Sequence, residues 1–114
     1  MTYRVSLTAR AEADADAAFV HIREVAPHRA HQWLRDLFMA MMTLADRPAR
    51  CPFIPEADAL GHPARHLLYG KRTGMYRIIF DIQEQSPEGP RVRVLRIWRA
   101  TRDAITAEDI ETEH

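Results

Sequence analysis

Apolar and polar positions alternate at the start of the chain, in Tyr3-Arg4-Val5-Ser6-Leu7, and a period of two predicts a first strand. Thr8 then stands where an N-cap belongs, and the pattern changes to a helical one from about Ala9 to Ala26. Ala11, Ala15, Ala18, Phe19 and Ile22 fall on one stripe, with Glu12, Asp14, Asp16, Arg23 and Glu24 mostly off it. Pro27 suits the first turn of a second helix, because the N–H it lacks has no partner there. That helix is expected to run to about Ala45 with the stripe Ala30, Trp33, Leu34, Leu37, Phe38, Met41 and Leu44. The short join makes the two helices an antiparallel hairpin, and the small alanines let them approach closely.

Residues 46–64 carry Pro48, Pro52, Pro55, Gly61 and Pro63, which predicts an irregular connection. Three strands follow, at about 65–69, 74–82 and 91–98, joined by turns short enough for an antiparallel meander. In the middle strand Tyr76, Ile78, Phe80 and Ile82 share one face, and Met75, Arg77, Ile79 and Asp81 the other. The last strand pairs apolar neighbours, Val94-Leu95 and Ile97-Trp98. It is apolar on both faces, as a central strand is. The expected fold is α+β: an N-terminal strand, the helical hairpin, then the meander, in one sheet with the helices on one face. Thr106-Ala107-Glu108-Asp109 has the form of a capped helical turn.

Arginines thread through these strands, and a buried strand is a poor place for charge. The pattern predicts one sheet face open to an anionic or acidic partner. Charge distribution sharpens this. The 114 residues are formally neutral, but residues 61–102 hold nine Lys/Arg against three Asp/Glu, and residues 103–114 hold five acids and no Lys or Arg. A basic patch is the footprint of polyanion binding. The competing expectation is that the acidic tail folds back and neutralises the patch. Lys71 is the sole lysine, and arginine favours bidentate contacts to carboxylate or phosphate.

The length suits a single domain. No apolar run reaches membrane-spanning length and no signal-peptide core opens the chain, so a cytoplasmic protein is expected. Cys51, the only cysteine, rules out an internal disulfide and reads as an inert thiol. His28 and His31, and His62 and His66, have spacings that tempt a metal reading, but Pro63 interrupts one pair and no carboxylate–histidine motif completes either. No metal and no cofactor is expected, and no phosphate-cradling glycine loop or nucleophile elbow is present.

The order of these pieces resembles the RelE/ParE superfamily of bacterial type II toxins, which includes plasmid-stabilisation toxins. The resemblance is carried by Leu7-Thr8-Ala9-Arg10-Ala11-Glu12-Ala13-Asp14, Arg47-Pro48, Leu67-Leu68-Tyr69, Gly74-Met75-Tyr76-Arg77-Ile78-Ile79-Phe80, and Val92-Arg93-Val94-Leu95-Arg96-Ile97 running to Arg102-Asp103. It implies one toxin domain over residues 1–103, followed by an acidic tail over 104–114. It also implies a growth-inhibiting toxin neutralised by a cognate antitoxin in a hetero-oligomer. Some relatives poison DNA gyrase; others cleave mRNA on the ribosome. In the ribonuclease reading Arg77, Arg99 and Arg102 are the catalytic positions. Arg99 stands where many relatives carry a histidine, and an arginine is a poor proton shuttle. No tyrosine follows Arg102 either. Gyrase inhibition is therefore placed ahead of the mRNA endoribonuclease reading, with an inactive solitary family member as the third. Arg77, Arg96, Trp98, Arg99 and Arg102 are the residues expected to bind antitoxin or target.

Overall fold

β1 (Arg4–Leu7) ends at Thr8, where the chain turns directly into α1 (Ala9–Val25). The computed structural model describes residues 2–71 and 74–111. Thr8 is the N-cap as its sequence position predicts. Its Oγ1 accepts the Ala11 amide at 3.1 Å and donates to the Leu95 carbonyl at 3.0 Å. One hydroxyl thus starts the helix and ties it to a strand far along the chain. Thr8→Ala should cost about 1–2 kcal/mol of stability, and Thr8→Ser much less, in urea denaturation.

α1 buries Ala11, Ala15 and Ala18. α2 (Ala30–Met42) folds back along it, with the Phe19 ring 5.1 Å from the His31 ring. Pro27 is not in the first helical turn. The Arg29 amide donates to the Ala26 carbonyl, so residues 27–29 are used in reversing the chain and the helix begins at Ala30. The far end tightens into a 3₁₀ turn, Thr43–Ala45. The proline-rich segment holds a second 3₁₀ turn, Pro48–Arg50, and one helical turn, α3 (Ala57–Leu60).

β2 (Arg65–Tyr69), β3 (Tyr76–Gln83) and β4 (Arg91–Arg99) form the antiparallel meander. Sheet order is β1-β4-β3-β2, with β1 parallel to β4, so β4 is central as its two apolar faces predict. Between β2 and β3, Gly70 has φ +106, and a Cβ there would collide with the Gly74 carbonyl.

Ile79 pairs with Arg96, but Phe80 pairs with Val94, so Leu95 is an extra residue in β4. This bulge resets the alternation. Val92, Val94 and Ile97 face the helices with Tyr76, Ile78 and Phe80, while Leu95 and Trp98 join a second core with Ile79, Ile54 and Ala64. Ile105 and Ile110 close that second core. Ile110 ends α4 (Ala107–Ile110), whose capping box pairs Thr106 with Asp109.

The expectation of an open sheet face is therefore corrected. The face away from the helices is covered by the 54–64 segment and by residues 105–110, because Ile79, Leu95 and Trp98 need apolar cover as much as the helix-facing residues do. Among the described residues no helix is long and apolar enough to cross a membrane.

Candidate functional site

The arginines of the central strands are internal fasteners before they are anything else. Arg77 lies in β3 on the second face and is buried. Its Nη1 and Nη2 donate to Glu56 Oε1 and Oε2 at 3.0 and 2.9 Å, a fork-to-fork pair. Glu56 Oε2 also accepts the Ile105 amide at 3.0 Å. These bonds, Arg77's foremost, pull the Glu56 carboxyl down to about 2 against the opposing effect of burial. A single carboxylate thus joins the segment before α3, the start of β3 and the C-terminal segment.

Arg96 plays the matching part in β4. β1 stops at Leu7, opposite Val94, so beyond that point the edge of β4 has no neighbouring strand. The start of α1 takes its place. The Thr8 amide donates to the Val94 carbonyl at 3.0 Å, and Asp14 Oδ2 accepts the Ile97 amide at 2.9 Å. Asp14 also holds Arg96, with Nε to Oδ2 at 2.7 Å and Nη2 to Oδ1 at 2.9 Å. Arg96 Nη1 donates to the Asp109 carbonyl at 2.9 Å. Asp14 is a residue that sequence reasoning passed over. Its signals were an acid off the apolar stripe of its helix, shared with Glu12 and Asp16, and its place at the end of the motif over residues 7–14.

Trp98, expected to meet antitoxin or target, is not on the surface. It is buried in the second core, and its Nε1 donates to the Asp103 carbonyl at 2.9 Å. The Arg102 guanidinium lies 3.8 Å from its ring centroid, and Arg96 lies 5.0 Å away on the same ring. Arg93 is half-buried and donates to Asp81 Oδ2 at 2.7 Å. His62 Nε2 meets the same oxygen at 3.0 Å. His66 takes no part in that contact; its Nδ1 is buried without a hydrogen-bond partner, and burial pushes its pKa down. Among the described residues no three His, Cys, Asp or Glu side chains are placed to share a metal ion. The Cys51 thiol is buried, which raises its pKa.

The five arginine and tryptophan positions therefore divide in two. Arg77, Arg96 and Trp98 are buried, and both arginines are engaged by carboxylates. Arg99 and Arg102 are exposed just where β4 ends. Arg99 stands opposite Tyr76 in the register, and the Ala100 amide donates to the Met75 carbonyl, which fixes the course of the chain between the two arginines. Lys71 is exposed just after β2. Arg72, the next cation, lies outside the described residues. Arg99 and Arg102 are both exposed cations at one end of the sheet, of the residue type that suits contacts to carboxylate or phosphate. Arg77 would have to leave Glu56 to make such contacts.

The family model for the ParE toxin of type II toxin-antitoxin system, parDE, matches residues 5–104. A search of the curated proteins found no match.

Proposed function

The chain belongs to the ParE toxin family, and from that premise we propose that it arrests growth by inhibiting DNA gyrase and that a cognate antitoxin neutralises it. The observation that carries the choice of target is the state of Arg77. A ribonuclease of this superfamily would need that guanidinium at the scissile phosphate. Here it is buried and committed bidentately to Glu56, at 2.9–3.0 Å. Arg99 and Arg102 remain exposed at the end of β4. Together they supply charge for docking but neither an imidazole nor a carboxyl for general acid–base catalysis. The exposed β4 terminus is thus read as a target-binding end rather than a catalytic centre.

The test pairs two assays on the purified chain. Supercoiling by gyrase should fall in proportion to added toxin, while primer extension on mRNA in a translating extract should show no new ends. Arg99→Glu with Arg102→Glu should weaken gyrase inhibition at least about tenfold, because exposed charges that steer a complex act mainly on association. Both side chains are exposed, so the fold should be kept, and circular dichroism checks that. Codon-positioned cuts that vanish in Arg77→Lys, with supercoiling untouched, would make the protein an endoribonuclease instead.

A further inference from the structure

We propose that the solvent side of α2 is a self-association surface, occupied by α2 of a second copy of this chain running antiparallel to the first. At about 100° per residue, the side of α2 that buries Leu37 and Met41 is opposite the side that carries Arg35, Met39 and Met42. A helix of this kind normally presents polar residues outward. Here Met39 is 66% exposed and Met42 49%, with Phe38 37% exposed beside them. Three large apolar side chains on adjoining turns make a patch rather than scattered exposure. Methionine is well suited to such a surface, since its flexible thioether adapts to a facing copy of itself.

The identity of the occupant comes from the order of the residues. Arg35, Met39, Met42 and Asp46 are symmetric about a point between Ala40 and Met41, with opposite charges at the two ends. A two-fold axis through that point sets Met39 of each copy against Met42 of the other. The same operation sets each Arg35 against Asp46 of the other copy. A parallel pairing would place Arg35 on Arg35 and Asp46 on Asp46, which repel. Both charged groups are accessible for this exchange. Arg35 Nη2 donates to Gln32 Oε1 on its own helix at 2.8 Å, and Asp46 accepts from its neighbour Arg47 at 3.2 Å with its side chain 73% exposed. The stripe runs along α2 and past its 3₁₀ turn to Asp46, about 18 Å at 1.5 Å per residue in the helix and about 2 Å per residue beyond Met42. A contact of that size falls below the roughly 1,200 Å² of a stable interface, so the dimer is a weak one in exchange with monomer.

Sedimentation equilibrium of the purified chain, over a concentration series from about 1 μM to 1 mM, reads the association directly. A monomer–dimer equilibrium is expected. Met39→Glu should abolish it. Arg35→Asp and Asp46→Arg, each alone, should weaken it by about tenfold or more, since each sets like charges across the axis twice. The double variant Arg35→Asp/Asp46→Arg restores opposite charges and should recover the dimer. All these positions are exposed, and circular dichroism verifies that the helix is retained. A chain that stays monomeric throughout overturns the proposal. So does a dimer indifferent to Met39→Glu, or a double variant no tighter than the singles. Protection of Met39 and Met42 from peroxide only when the antitoxin is bound would assign the stripe to that partner instead.

Discussion

Glu56→Ala should lower the unfolding free energy by about 3–5 kcal/mol, the cost of leaving a buried guanidinium without its carboxylate. The substitution also removes the acceptor for the Ile105 amide, so it loosens the C-terminal segment as well as the sheet. The double variant Glu56→Ala/Arg77→Met should recover much of the loss. Arg77 lies among apolar second-face neighbours, and a neutral chain of similar length needs no counter-charge there. Chemical denaturation of the two singles and the double gives the coupling as a double-mutant cycle. Additive effects of the two singles would show that the pair is not a unit and would sink this account.

The same carboxylate makes stability depend on acid. Its pKa is about 2 in the folded protein against 4.5 for the ordinary group. The folded value is depressed, so the stabilisation is fully present above about pH 4.5. It is lost progressively as pH falls toward 2. Its size is about 3 kcal/mol at the usual 1.4 kcal/mol per unit. Glu56→Gln should flatten that part of the stability–pH curve.

Much of the architecture was legible in the sequence because periodicity reports local geometry. Alternation marked β1 and the two faces of β3, Thr8 marked the start of α1, and the paired apolar residues of β4 marked a central strand. The purpose of the arginines was not legible. Asp14 is 82 residues from Arg96 and Glu56 is 21 from Arg77, and no spacing rule connects a carboxylate to a cation across such separations. The bulge was hidden for a related reason. Val94-Leu95 and Ile97-Trp98 read as two apolar faces with or without an extra residue, and only pairing with Ile79 and Phe80 shows that Leu95 is the addition. The acidic composition of the last dozen residues pointed to charge neutralisation, and Asp109 does lie 3.9 Å from Arg96, but the segment's two isoleucines are what enter the core. Of the five residues singled out for binding, sequence alone could not separate the buried three from exposed Arg99 and Arg102, because all five occupy similar arginine-rich strand or strand-end contexts.

A chain ending at Asp103 should lose about 3–6 kcal/mol, a large part of the stability of a domain of this size. The lost residues include Ile105 and Ile110, which are 3% and 6% exposed against Ile79, Leu95 and Trp98. Each fully buried isoleucine contributes roughly 1.5–3 kcal/mol by the apolar area it removes from water. Polar contacts go with them, among the described residues, including the Asp109 carboxylate 3.9 Å from Arg96. Arg96 loses the Asp109 carbonyl, Arg10 loses those of Glu108 and Glu111, and Glu56 loses the Ile105 amide. The indole of Trp98 keeps its acceptor at Asp103 but becomes wet on one side, so its emission should move to longer wavelength as the melting temperature falls. A second variant tests the segment's net charge while keeping its apolar anchors and the Asp109 carboxylate beside Arg96. Glu108→Gln/Glu111→Gln in the full chain removes two acidic side chains but leaves both isoleucines and every carbonyl that Arg10 uses. Its stability should stay within about 0.5 kcal/mol of the parent, as for exposed substitutions generally. If that variant were as unstable as the shortened chain, the segment would act by neutralising arginines. If the shortened chain kept its melting temperature and a buried Trp98, residues 105–110 would have no part in the core.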